Sequence, residues 1–184
     1  VPQRRADVIN LSLGGAPFTQ ATQALYDAVQ ATGVVVVAAA GNEASSAPFF
    51  PASYDGVISV SAVDGQRRLA SYSNIGPDID VSAPGGDSSI DFNGDGYPDG
   101  VLSTDGSVSD NVIDNGYTCL SGASMAAPHV AGVVALMKSV NPELTPSDID
   151  ALLASGALTD DLGTPGRDDL FGYGIINAQR SVLA

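Results

Sequence analysis

Apolar positions fall along this chain in short, nearly unbroken runs separated by polar, glycine-rich stretches. Val34 to Ala40 is apolar at every position and mostly β-branched at its start, which predicts a strand buried on both faces of a parallel sheet. Comparable runs predict strands at Asp7–Leu13 and Gly56–Val63, with helical periodicity near Thr19–Thr32 between the first two strands. That βαβ alternation predicts an α/β fold of three layers, α/β/α, around a mainly parallel sheet. Ser71–Asn74 and Asp80–Ala83 read as short strands or turns, and Val101–Thr104 as a further strand. From Ala126 the apolar positions Ala127, Val130, Ala131, Val134, Ala135 and Met137 predict a buried helix of roughly 12 residues. Thr145, followed by Pro146, opens another helix through about Ala154, and Gly172–Asn177 leads into a short terminal one. There is no internal repeat and no linker, so residues 1–184 read as one unit.

Composition narrows the function classes. The chain has 184 residues, 44% of them apolar, enough for a sizeable core, and no apolar run approaches the ~20 residues of a membrane span. A net charge of −14 repels nucleic-acid phosphates and anionic membranes, so neither is an expected partner, whereas cations are. Arg4-Arg5 is not followed by the apolar stretch of a signal peptide. Cys119 is the only cysteine, which excludes an internal disulfide. It reads as a buried thiol, with pairing to a separate segment as the alternative.

The candidate chemistry begins at Ser121-Gly122-Ala123-Ser124-Met125-Ala126-Ala127-Pro128-His129-Val130-Ala131-Gly132. Here a serine stands where a glycine turn meets an apolar helix. Unpaired N–H groups and the positive end of the helix dipole favour negative charge developing beside Ser124. Taken alone, the pattern also describes an ordinary N-cap serine. His129 is the only histidine, and a separation of five residues puts it roughly 140° around the helix from Ser124, badly placed to act as its base.

The whole run resembles the nucleophile motif of the subtilisin-like serine proteases, Gly-Thr-Ser-Met-Ala-x-Pro-His-Val-Ala-Gly, with Ala123 in place of the usual threonine. The resemblance implies that Ser124 is the nucleophile and that His129 is structural. It extends to Gly41-Asn42, after the Val34–Ala40 strand, and implies that Asn42 donates its side-chain N–H to the oxyanion. Asp7–Gly15 resembles the strand that pairs with substrate backbone. Ser12, Leu13 and Gly14, with Ala39, Ala40 and Gly41, correspond to the walls of the pocket for the side chain preceding the scissile bond. Phe49-Phe50-Pro51-Ala52 resembles the stretch near its floor; Phe49 either shortens the pocket or belongs to the core, and Pro51 is expected to be cis. An unrelated hydrolase with a Gly-x-Ser-x-Gly elbow is disfavoured because position 126 is alanine.

In that family the triad Asp and His come from segments that precede the strand at Val8, and this sequence contains neither. The resemblance therefore implies the C-terminal portion of a subtilisin-like domain with its N-terminal strands missing, inactive alone, and secreted as such proteases are. The expected partners are a peptide or protein substrate and either the complementary N-terminal segment or another copy of the chain. The alternative is a calcium-stabilised, non-catalytic module or pseudoenzyme.

A second constellation, Asp91-Phe92-Asn93-Gly94-Asp95-Gly96-Tyr97-Pro98-Asp99, spaces oxygen donors as the opening of an EF-hand-type loop does. The twelfth position is Leu102 rather than a bidentate glutamate, so the loop is not a complete EF-hand. Asp91, Asn93, Asp95 and Asp99, with the Tyr97 carbonyl, are the expected ligands of a structural Ca²⁺ in an insertion at 87–100.

Overall fold

The valine run is the centre of the sheet. The computed structural model describes residues 6–109 and 112–184. Its elements run β1 (Val8–Leu11), α1 (Gln20–Gln30), β2 (Val35–Ala39), β3 (Ile58–Val63), β4 (Val81–Pro84), β5 (Val101–Ser109), β6 (Val112–Leu120), α2 (Ala123–Val140), α3 (Pro146–Ala154), β7 (Thr159–Asp160), β8 (Ile175–Ile176) and α4 (Ala178–Leu183). The main sheet has the order β1-β2-β3-β4-β8-β7. All neighbours in it are parallel except β7 and β8.

Alternation along β2 assigns the two faces. Val35, Val37 and Ala39 pack with Val130, Val134 and Met137 of α2 and with Ile149 and Leu153 of α3, whereas Val36 and Ala38 pack with Tyr26 and Val29 of α1. Both faces are thus covered by helices, the three-layer α/β/α arrangement that the continuous apolar runs predict. Thr19 caps α1 by accepting from the Thr22 N–H, and Thr145 and Asp148 form a reciprocal capping box at the start of α3.

Several elements differ from expectation. Helix α2 starts at Ala123, not Ala126, and runs for 18 residues. It matches a membrane span in length and composition, yet it is the core helix, packed against β1 to β4 and α4. Ser71–Asn74, open to either reading in sequence, is a turn. The strand expected at Val101–Thr104 is the start of β5, which pairs antiparallel with β6 in a separate two-stranded ribbon from Val101↔Leu120 to Ser109↔Val112. Cys119, expected to be buried, is only half-buried on that ribbon.

Candidate active site

The turn before Ser124 is built from close backbone approaches. Gly122 has φ 152°, a conformation that side chains with a Cβ rarely adopt. Its N–H donates to the Gly85 carbonyl at 3.0 Å. A Cβ on Gly85 would lie 2.5 Å from the Ala62 Cβ, 2.8 Å from the Tyr72 hydroxyl and 2.9 Å from the Gly122 carbonyl oxygen. The Tyr72 hydroxyl donates to the Gly86 carbonyl at 2.6 Å. Burial, reinforced by Asp87 and Asp64, pushes the Tyr72 phenol up to about 12, so it remains an O–H donor.

Ser124 is the second residue of α2 and is half-buried. Pro128 lies four residues on and has no N–H, so the Ser124 carbonyl lacks its intrahelical partner. The Ser12 hydroxyl takes that place, donating to the Ser124 carbonyl at 2.7 Å. In return the Ser124 hydroxyl points to the Ser12 carbonyl at 3.4 Å. The end of the strand expected to meet substrate is thereby joined directly to Ser124. His129 is exposed, and its Nδ1 lies 2.8 Å from the Met125 carbonyl oxygen one turn back.

Asn42 follows the C-terminal end of β2, where functional groups collect in open α/β sheets. Its Oδ1 accepts the Ala123 N–H at 2.8 Å. This fixes the amide orientation, leaving Nδ2 as the donor beside the turn; the two amide atoms lie 3.5 and 3.6 Å from where a Gly122 Cβ would be. The Ser124 N–H, in the first helical turn, has no intrahelical acceptor. Ser124, Asn42 and Ser12 are therefore brought together around one corner, with two N–H groups suited to a developing oxyanion.

Of the pocket residues, Ala39, Ala40 and Gly41 are buried, while Ser12, Leu13 and Gly14 are exposed. The Phe49 ring lies between these two walls. A Cβ on Gly14 would collide with its outer edge, and one on Gly41 would lie 3.0 Å from its Cγ. A small cleft beside the ring is bordered by Ala40, Ser53 and Asn74 among others. The Phe50–Pro51 bond is cis.

The acidic loop closes at Asp87 and Asp99, where the Asp87 N–H donates to the Asp99 carbonyl at 2.9 Å. Inside it, Asp91 accepts from the Gly94 and Gly96 N–H groups, Asn93 from Asp95 and Asp95 from Tyr97. The Asp99 carboxylate turns to the Phe92 N–H. The Phe92 ring lies under the Arg68 guanidinium, 4.5 Å from centroid. The donor chemistry fits Ca²⁺, and the Asx turns wrap the loop around Asp91, but among the described residues no three acidic, histidine or cysteine side chains gather at metal-binding spacing.

Tyr72, Asn74 and Glu43 were not singled out by sequence. The only signal for Tyr72 and Asn74 was the polar stretch after β3, which lacks a period, and for Glu43 its place next to Asn42 after β2.

A sequence profile described as the Subtilase family matches residues 2–174. Subtilisin DY of Bacillus licheniformis is 39% identical over 181 residues, a match covering 96% of this chain and 57% of that protein. An Extracellular protease of Xanthomonas campestris pv. campestris is 41% identical over 183 residues, covering 97% of this chain and 29% of the other. A solved structure of a protease from Pseudoalteromonas arctica PAMC 21717 superposes with a TM-score of 0.81 at 39% identity, covering all of this chain and 54% of that one. The chain thus spans little more than half the length of even the better covered of these relatives.

Proposed function

This chain belongs to the subtilase family, and we propose that it supplies the nucleophile and oxyanion donors of a serine endopeptidase whose catalytic histidine and aspartate lie outside these 184 residues. The observation that carries this reading is the convergence of Ser124, Asn42 and Ser12, joined by hydrogen bonds between segments 81 and 112 residues apart. Substrate backbone would lie along Ser12–Gly14, with its scissile carbonyl at Ser124. The Ser124 oxygen attacks the carbonyl carbon and its proton passes to the external histidine; Asn42 Nδ2 and the Ser124 N–H hold the oxyanion. The histidine returns the proton to the leaving amine, and water then releases the acyl group from Ser124. His129 does not serve as the base, because it is turned to the Met125 carbonyl. Like the Xanthomonas relative, named as extracellular, the parent protein is proposed to act outside the cell.

The test is labelling of Ser124 with a fluorophosphonate, alone and after mixing with a polypeptide that bears the missing Asp and His. Labelling that appears on mixing, and is lost in Ser124→Ala, is the expected result. Persistent inertness in the complex would favour the non-catalytic alternative.

The Phe49 ring between Gly14 and Gly41 supports a pocket that accepts only small side chains before the scissile bond. Phe49→Gly is expected to move cleavage preference from Gly or Ala towards large apolar residues, read from a peptide library. For the acidic loop we propose a structural Ca²⁺ held by Asp91, Asn93, Asp95, Asp99 and the Tyr97 carbonyl. Millimolar Ca²⁺ should raise Tm relative to chelator, and Asp91→Ala should abolish the difference.

A further inference from the structure

Asn42 can serve an oxyanion only if its short loop is held still, and the loop has few means of its own. Residues 41–45 follow β2 without regular structure, and the Asn42 side chain is exposed. What restrains the loop comes from the turn after β3. Asn74 is 3% exposed, and its side-chain amide is fully used. Its Oδ1 accepts from the Glu43 N–H at 2.9 Å and the Ser45 N–H at 3.1 Å. Its Nδ2 donates to the Ala40 carbonyl at 2.9 Å and to Glu43 Oε2 at 3.0 Å. The same Glu43 oxygen accepts the Asn42 N–H at 2.8 Å. The Asn74 backbone N–H closes on the Gly41 carbonyl at 3.1 Å.

One buried amide therefore grips the loop on both sides of Asn42, and reaches Asn42 itself through a single carboxylate. The turn extends the grip to the nucleophile. Tyr72 accepts the Ala44 N–H on its carbonyl at 2.9 Å, while its hydroxyl holds Gly86, next to the Gly85 carbonyl that binds the Gly122 N–H. Loop 41–45 and the start of α2 thus hang from the same few residues. We propose that Asn74, acting through Glu43, is a positioning residue that fixes Asn42 against the first turn of α2. It touches no reacting atom.

This inference rests on the proposed oxyanion role of Asn42 for its meaning, but its first test does not. The Ala123 N–H is in the first helical turn and has Asn42 Oδ1 as its acceptor, so its hydrogen exchange reports how firmly Asn42 is held. Asn74→Asp keeps the side chain's size but replaces the two N–H donors with a second negative charge against Glu43. It is expected to accelerate Ala123 exchange by at least tenfold while amides at the centre of β3 keep their protection. Glu43→Ala, at an exposed position and leaving Asn74 intact, should accelerate Ala123 less, and it serves if Asn74→Asp does not fold. Unchanged Ala123 protection in the folded variants, or equal loss across β3, would overturn the proposal.

The second test uses the complex with the triad-bearing polypeptide. There, Asn74→Asp should lower kcat at least tenfold with KM little changed, and should cost less than twofold more once Asn42→Ala is already present. An equal loss in both backgrounds would overturn the positioning role. An Asn42→Ala variant with undiminished kcat would instead sink the oxyanion reading, leaving the exchange result for Asn74 standing.

Discussion

Ser12 and Pro128 show how two residues can matter through one missing hydrogen. Proline within a helix ordinarily costs a backbone bond. Here the carbonyl it releases belongs to Ser124, and the Ser12 hydroxyl claims it at 2.7 Å. The proline thereby makes room for a tie between the chain after β1 and Ser124, a role that its place in the motif alone does not reveal. Ser12→Ala is expected to lower stability by about 1 kcal/mol, the scale of one neutral hydrogen bond, seen as a lower denaturant midpoint at unchanged slope. In a Pro128→Ala background the position-128 N–H can serve the Ser124 carbonyl, so Ser12→Ala should there cost little. Equal penalties in the two backgrounds would show that the hydroxyl acts by some other contact.

The elements that were legible in sequence are those whose surroundings impose a period or an uninterrupted apolar run. β2 announces itself because both its faces are covered, and α3 because Thr145, Pro146 and Asp148 spell out its start. β6 and the outer half of β5 escape because they border no second layer: Asp105, Gly106, Asn115 and Gly116 are all exposed, and nothing selects apolar residues at alternate positions. The 70–74 segment stays undecided between strand and turn in sequence for the opposite reason. Ser73 and Asn74 are buried, but their partners are mostly backbone groups distant in sequence, which leave no mark on local pattern. Asp80, just before β4, is a similar case. It accepts the Ser59 N–H from β3 at 2.8 Å, yet burial, with Asp150 and Asp78 adding to it, raises its carboxyl from 3.8 to about 6 against the opposing pull of that bond and of Arg167. Below pH 3.8 the carboxyl is protonated folded or unfolded. As pH rises towards 6 the unfolded chain gives up the proton while the folded one retains it, so stability falls, by roughly 2–3 kcal/mol once both are ionised. Asp80→Asn keeps an acceptor for Ser59 and should raise Tm at pH 7 but not at pH 3.5. A gain of the same size at both values would mean that ionisation is not the cause.

At the scale of the whole molecule two opposing features bear on whether copies of the chain would associate. Among the described residues β1 stands at the end of the strand order and pairs only with β2, so its outer edge there presents unpaired backbone groups, and the exposed side chains of Leu13 and Phe18 follow it in sequence. Such an edge is a template for another strand. Against that stands the net charge of −14, which repels any approaching copy but is screened beyond about 10 Å in 0.1 M salt and beyond about 3 Å in 1 M. The balance should therefore move with ionic strength: sedimentation velocity is expected to show a monomer at 0.02 M salt and a growing dimer fraction towards 1 M. A triad-bearing N-terminal polypeptide, if it completes the sheet at β1, competes for the same edge. Adding it in equimolar amount should remove the salt-induced dimer and raise Tm together, because one surface is being covered in both measurements. Dimers that persist beside the complex would place self-association on another face, and a monomer at every salt concentration would show that the short β1 edge is too small to hold a partner without the contacts that completion of the sheet supplies.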